Sequence, residues 1–336
     1  MRIIFVPQFP SALRYSEWWF WKLPEEFEKR GFEVLTLGKD EINRIQHTRS
    51  TLPMFSPIRQ AIELEATQIK EYMNLDLRED DILFWADISF PGIFGNVLFH
   101  QRPKKMYAFC HATALNNLDY YSNVRDMKFP IESSVCRMFD KIFVGSCYHK
   151  NKLRVGGHRI FGNDAHWRNL IVTYLPFPPL EFDFPEIEKT IDIMSASRPN
   201  PQKVDEPLEK LVEASFGEIK RPISNSWYNY FYNLRSSKIL LITAHEDTFG
   251  YQIVDAVMNN CIPLARRDLA YPELLPDEYL YSSFDELMRK IDYILNANVD
   301  WVPKVNVPKL LCEKQMNNFY DVICDEMKGK NKDQPV

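Results

Sequence analysis

Two α/β domains, each built on a largely parallel sheet, are what the sequence predicts, and three observations carry that expectation. Short apolar runs alternate with helix-length stretches along nearly the whole chain, the pattern of repeated βαβ units. At 336 residues the chain exceeds a usual single domain of about 100–200 residues. Near its middle, "LPFPPLEFDFPEI" (175–187) places four prolines in thirteen residues, which neither a helix nor a central strand accommodates, so it reads as a domain linker.

In the first half the strand candidates are "RIIFV", "FEVLTL", "DILFWA", "KKMYAFC", "KIFVGS" and "NLIVTYL". The first helix candidate is "SEWWFWKLPEEFEKRG", where Pro24 is placed to start or kink the helix and Gly31 to stop it. Trp18, Trp19, Phe20 and Trp21 cannot share one helix face, so at least one is expected to be exposed or to sit at a cleft. After the linker the alternation resumes with "IDIMSAS", "DEPLEKLVEAS", "WYNYFYNLRSS", "KILLITA", "TFGYQIVDAVMNN", "CIPLA" and "SFDELMRKIDYILNA". A last helix is expected over 309–327 and a disordered polar tail over 328–336. The expected domains are 1–178 and 179–308.

Composition is that of a soluble globular protein, with 45 % hydrophobic and 26 % charged residues. No run approaches the roughly 18 apolar residues of a membrane span, and the start carries no signal-peptide pattern, so a cytoplasmic location is the expectation. Six cysteines (110, 136, 147, 261, 312, 324) are scattered without C-x-x-C spacing, as expected of free thiols in a reducing compartment. Residues 1–180 hold 23 Lys and Arg against 20 Asp and Glu, while the remainder is acidic. The sharpest basic stretch, "CYHKNKLRVGGHRIFGNDAHWR" (147–168), is either a solvated loop or a footing for a polyanion.

Ligands of open parallel sheets bind beyond the carboxyl ends of strands, where loops enter helices. "LLITA-HEDTFG-YQIVDA" has that layout. Gly250 lets a ligand approach the backbone, and the amides of a helix start favour a phosphate or sugar oxygen; alternatively, Asp247 or Thr248 simply caps the helix. Upstream, "SRPNPQK" puts Arg198 and Lys203 around a Pro-Asn-Pro turn after another strand, either a diphosphate cradle or surface decoration. No G-x-G-x-x-G follows a first strand, which disfavours a nicotinamide dehydrogenase.

These residues carry a resemblance. Arg198 and Lys203 in "RPNPQK", Asp247 and Asp255 in "DTFGYQIVDA", and "CIPLARRDLAYPELL" together resemble the carboxy-terminal domain of the family 4 nucleotide-sugar glycosyltransferases, retaining enzymes of the GT-B fold. "EKRGFEV", "FCHATALNN" and "IFVGSCYHKNKL" agree more loosely with the amino-terminal domain. The resemblance implies two Rossmann-like domains facing a central cleft, with the C-terminal helix crossing back to the first domain.

For the site, the resemblance implies that Arg198 and Lys203 hold the diphosphate, assisted by Thr248 and the amides of Phe249, Gly250 and Tyr251. Asp247 would receive sugar hydroxyls, Asp255 the nucleotide ribose, and His111 the donor sugar from the other domain. Glu246 stays a bystander. Both acidic positions are normally glutamate in the family, and the usual glycine-rich first loop is absent from "PQFPSALRYSEWW". The stretch between Arg198 and Asp247 is short, implying a trimmed donor domain.

The implied reaction is metal-independent transfer of a hexose from a UDP- or GDP-sugar, UDP-glucose among them, with retention and no cofactor beyond the donor. Tyr15, Trp18, Lys150, Arg154 and Arg159 are the acceptor-side candidates. The region around His111 and "FVGSCYHKNKL" is also similar to glycosyltransferases that modify queuosine in transfer RNA. A modified base in DNA or tRNA therefore stands beside glycans, lipids and small molecules as acceptor, and a sugar-nucleotide 2-epimerase or a non-catalytic binding protein stand as alternatives. Cys110, His111, Cys147 and His149 have spacings that fit no standard structural zinc site. Oligomeric state is left open.

Overall fold

A computed structural model describes residues 1–46, 56–118, 121–176, 182–197, 203–222, 226–296, 314 and 317–329. The chain divides into two compact units. The first comprises Met1–Gly145, Lys150–Thr173 and the chain from Tyr320 onward; the second comprises Ser146–His149 and Tyr174–Phe319.

The first unit holds a six-stranded sheet of β1 (Arg2–Val6), β2 (Glu33–Thr36), β3 (Ile82–Trp85), β4 (Lys105–Cys110), β5 (Lys141–Val144) and β6 (Leu170–Val172), in the order β2-β1-β3-β4-β5-β6. Every pairing is parallel, with Ile3 beside both Val34 and Ile82. All five residues of β1 and all four of β3 are buried. Continuous burial is what a parallel sheet covered on both faces requires, and it explains why these runs are apolar throughout rather than alternating. The strand order reverses between β1 and β3, so the loops leaving their carboxyl ends diverge there.

Its helices are α1 (Tyr15–Lys29), α2 (Ile42–Gln46), α3 (Ser56–Met73), α4 (Arg125–Cys136) and α5 (Cys147–Phe161), the last from Lys150. Gly31 stops α1 as expected: at φ +86° it turns the chain so that its amide reaches Glu28 O at 2.9 Å and that of Phe32 reaches Phe27 O at 3.2 Å. Pro24, expected to start or kink the helix, lies well inside it. The helix begins at Tyr15, and the Glu17 carboxylate of its first turn accepts the Leu13 amide at 3.2 Å. Of the four aromatics, Trp19 and Phe20 are 0–1 % exposed and Trp18 9 %, while Trp21 is exposed at 37 %.

The basic stretch 147–168, whose bland reading was a loop, is mostly α5 followed by a short 3-10 turn at Ala165–Trp167. Trp167 is fully buried and stacks on Phe129 at 5.7 Å. Gly157 makes room for it, since a Cβ there would stand 2.8 Å from the indole. From Tyr320 onward the chain packs within the first unit, helical over 317–328, with the Tyr107 hydroxyl donating to Glu326 O at 3.0 Å and Arg30 4.0 Å above the Tyr320 ring. The expected start of this helix (309–313) and most of the expected disordered tail (330–336) lie outside the described residues.

The second unit holds β7 (Ile191–Met194), β8 (Ser237–Ile242), β9 (Ile262–Arg266) and β10 (Leu280–Tyr281), all parallel in the order β10-β9-β8-β7. Outside β7, Lys220 forms a single parallel bridge with Met194. The helices are α6 (Glu206–Phe216), α7 (Trp227–Ser236), α8 (Tyr251–Met258) and α9 (Phe284–Asn296). Among the named strands the order runs one way, but with the Lys220 bridge counted the chain goes from β7 first to its outer side and then to β8 on the other, which makes the carboxyl ends of β7 and β8 the place for a ligand. Among the described residues no helix is long and apolar enough to cross a membrane.

Candidate active site

In the second unit, β8 ends at Ile242 and the loop to Gly250 carries the motif. Gly250 takes φ +103° at the start of α8, a conformation L residues rarely adopt, and a Cβ there would meet the Tyr271 ring at 3.0–3.1 Å. Glycine is required on both counts. The alternative in which Asp247 or Thr248 caps α8 is corrected: no side chain caps it. Asp247 instead holds its own loop, its Oδ1 accepting the Phe249 amide at 3.3 Å. The αL glycine separates the loop from the helix, so a cap at Asp247 or Thr248 has no geometry to form.

The other carboxylate oxygen of Asp247 lies 3.3 Å from Lys203 Nζ and accepts from the Tyr271 hydroxyl at 3.5 Å. Lys203 also donates to Glu246 O at 3.1 Å. Lys203 leaves the β7 side and Asp247 the β8 side, so the structure joins the two across the point where strand order reverses. The Phe249 amide, expected to face phosphate, is committed to Asp247. Thr248 O accepts from Ser146 Oγ, and the Tyr251 hydroxyl donates to Pro176 O at 3.2 Å. Gln252, in the first turn of α8, meets Ser197 at 3.3 Å, tying that helix to the segment after β7. Arg198 lies outside the described residues.

Asp255 sits one turn further along α8, 1 % exposed. Its Oδ2 accepts from the Tyr230 hydroxyl of α7 at 2.9 Å. Burial, with the Asp255 charge beside it, holds the Tyr230 phenol well above its usual pKa. Glu246, set aside as a bystander, is buried at 4 % exposure.

Sequence reasoning missed several contributors. Tyr271 fills the space over Gly250 and touches Asp247. Glu273 accepts the amides of Cys147 and Tyr148 at 2.8 and 2.7 Å, capping α5. Its only sequence signal is its place in "PEL". Nearby, Asp205 accepts from Arg266, both lining a cavity of about 360 Å³ with Arg267, Asp268 and Tyr281, and His245 Nε2 lies 3.7 Å from the Asp205 carboxylate.

In the first unit, His111 follows β4 directly. Its ring makes edge contact with Trp19 and tilts against Phe109, both at 4.6 Å. Burial pushes its pKa down to about 3, against a weaker opposing hydrogen bond with the Ala86 backbone, so the imidazole is neutral at physiological pH. Of the acceptor-side candidates, Trp18 is buried and the Tyr15 oxygen is enclosed, which leaves Trp21 as the aromatic of that run open to a partner. Lys150, Arg154 and Arg159 all lie on α5, and Arg154 pairs with Asp164 at 2.6 Å. Among the described residues no group of three or more His, Cys, Asp or Glu is placed to hold a metal ion.

No protein-family model matches the chain. Over 96 residues it is 30 % identical to the tRNA-queuosine alpha-mannosyltransferase of Drosophila melanogaster; the match covers 27 % of this chain and 24 % of that protein. The chain thus spans about a quarter of the length of that curated relative.

Among solved structures, an alpha,alpha-trehalose-phosphate synthase (UDP-forming) from Burkholderia vietnamiensis aligns over 98 % of this chain and 100 % of its own, with TM-score 0.63 and 11 % identity. Anabaena HepE in complex with UDP and glucose gives TM-score 0.62 at 11 % identity, covering 98 % and 99 %. Sucrose-phosphate synthase from Thermosynechococcus elongatus gives 0.60 at 12 %, covering 98 % of each. At these identities the likeness establishes the fold, which is that of the GT-B glycosyltransferases.

Proposed function

We propose that the protein is a glycosyltransferase that moves a hexose from a UDP- or GDP-sugar to a hydroxyl acceptor, with retention of anomeric configuration and without a metal. The observation that carries this reading is the Lys203–Asp247 pair beside the glycine-initiated start of α8, at the carboxyl ends of β7 and β8. Lys203 is paired with Asp247 at 3.3 Å. A diphosphate offers Lys203 a stronger anion, and its arrival releases Asp247 to accept sugar hydroxyls. The swap assembles donor and sugar contacts in one step.

The charge that develops on the leaving phosphate is met by Lys203, by Arg198 and by the amides that open α8, the electrostatic role a divalent ion fills elsewhere. Retention follows if the departing phosphate oxygen takes the acceptor's proton on the face it leaves. Asp255 on α8 serves the ribose end of the donor. His111, kept neutral by burial, suits a hydrogen bond to a sugar hydroxyl and cannot act as an acid near pH 7.

For the acceptor, the likeness to the queuosine mannosyltransferase supports a hydroxyl on a modified base of nucleic acid. The α5 cations Lys150, Arg154 and Arg159 would take the phosphate backbone. The test is a donor-hydrolysis screen over UDP- and GDP-sugars with and without EDTA. Mass spectrometry of transfer RNA, DNA and glycan acceptors with the best donor follows. Absence of hydrolysis or transfer with every donor would overturn the reading.

A further inference from the structure

The layer over one face of the first sheet leaves apolar side chains uncovered. From β2 through β6 every connection steps the same way across the sheet, so right-handed crossovers put α3, the 3-10 segment Phe94–Phe99, α4 and α5 on one face. Met73, Phe99, Met127, Ile131 and Val155, each more than half exposed, all lie in that layer. Among the described residues the other large apolar side chains exposed as far, Leu211 and Tyr293, sit in the second unit. Helix α4 concentrates the pattern. Val124 at its cap, Met127 and Ile131 recur at helical spacing and form one stripe, which the exposed Ser134 continues. Met127 is 73 % exposed and Ile131 56 %, while Phe129, Glu132, Ser133, Val135 and Cys136 are buried on the opposite side. Asp126 and Arg137, both exposed, fall on one flank of the stripe at about 100° of turn per residue. They stand about 16 Å apart along the axis, too far to pair within the helix.

We propose that this face of α4 is the interface of a homodimer, in which two copies pack α4 antiparallel about a two-fold axis at Ile131. That arrangement sets Ile131 against its own copy and Met127 against Ser134 of the partner subunit. Asp126 lies five residues before the axis and Arg137 six after it, so Asp126 comes level with the partner's Arg137. A two-fold axis perpendicular to the helices keeps a flank on its own side, so the two charges meet. The face is therefore complementary to itself in charge as well as in apolar surface, which an isologous contact requires. Met73, Phe99 and Val155 in the same layer extend the apolar area toward the roughly 800 Å² per partner of a stable interface. An anionic lipid surface fits less well, because Asp126 stands exposed at the edge of the stripe. The contact needs no ligand and is independent of the donor reading.

Sedimentation velocity on the full chain over a range of concentrations is the test. The wild type is expected to show a concentration-dependent monomer–dimer equilibrium. Ile131→Asp puts a charge against its own copy and should weaken the dimer about thirtyfold or more. Asp126→Arg alone should weaken it about tenfold, and adding Arg137→Asp should bring it back to within about threefold of the wild type by inverting the pair. Should Ile131→Asp lower the urea midpoint, Met127→Lys carries the same readout. A wild type that is monomeric at every concentration overturns the proposal. So does a dimer that survives the stripe substitutions, or a charge inversion that restores nothing. Co-sedimentation with anionic phospholipid vesicles is the parallel arm: a monomeric wild type whose vesicle binding falls in Ile131→Asp gives the stripe to lipid and also overturns the dimer.

Discussion

The Lys203 ammonium lies 3.3 Å from Asp247 Oδ2, joining the segment after β7 to the loop after β8. This pairing predicts different phenotypes for its two members. On the proposed reading Lys203 meets the diphosphate, so Lys203→Ala should lower UDP affinity about tenfold or more, with transfer lost alongside it. Asp247→Ala leaves Lys203 free for phosphate, so nucleotide binding should persist or tighten while transfer falls by about 10²-fold or more. Calorimetry with UDP and a transfer assay on both variants check this; equal loss of nucleotide binding in both would contradict the division of roles.

Gly250 and Tyr271 make the second prediction. Gly250→Ala imposes a Cβ at φ +103° and 3.0 Å from the Tyr271 ring. The backbone strain alone costs about 1–3 kcal/mol. Urea unfolding should register more than that loss, because the clash with Tyr271 adds to the backbone strain, with an unchanged slope. Because Tyr271 is fully buried and Tyr271→Leu is itself destabilising, Gly250→Ala should cost less in a Tyr271→Leu background than in the wild type, the difference being the steric part.

The alternation of apolar runs with helix-length stretches made β1 through β9 legible; β1 and β3 are buried throughout and read as continuous apolar runs, while the partly exposed β2 and β7 were marked by their place in the alternation. β10 was not legible: two residues, Leu280 and Tyr281, carry no period. The motif's phasing on Phe249 and Gly250 located Asp247 and Asp255, but not their surroundings. Tyr271 and Tyr230 reach the two carboxylates from elements 24 and 25 residues away in sequence, and an isolated tyrosine leaves no local mark of such a contact. The basic stretch at 147–168, open in the sequence between a solvated loop and a footing for a polyanion, is mostly helical, and its Gly156-Gly157 pair, which a helix interior ordinarily avoids, lets Leu115 and Trp167 approach α5.

Two buried groups predict opposing pH dependences. His111 has a folded pKa of about 3, below its ordinary 6.5, so the unfolded chain binds its proton first. Its stability contribution is full above about pH 6.5 and is lost as pH falls toward 3. Glu65, buried under the amides of Gly92, Ile93 and Phe94, has its pKa raised to about 7 chiefly by desolvation. The folded state therefore holds that proton more tightly, and the contribution is present below about pH 4.5 and lost as pH rises through 7. His111→Gln should flatten the acid limb of a stability-versus-pH curve, and Glu65→Gln the limb between 4.5 and 7, each read by urea midpoints across that range.

The acceptor surface is open to a salt test. Helix α5 carries Lys150, Lys152, Arg154 and Arg159 and no acidic residue, and Arg154 and Arg159 are both exposed. Neutralising a residue that contacts phosphate should lower the magnitude of the slope of log affinity against log salt by about 0.7–0.9 per contact, and should weaken binding to all sequences alike. A Lys150→Gln, Arg154→Gln, Arg159→Gln variant is thus expected to lose transfer RNA binding with a slope shallower by about 2, at an unchanged UDP affinity. Arg154 also pairs with Asp164, so its contribution to that slope should be the smallest of the three. Filter binding at several salt concentrations measures it; an unchanged slope places the acceptor away from α5, and a parallel loss of UDP affinity shows that the variant has damaged the fold.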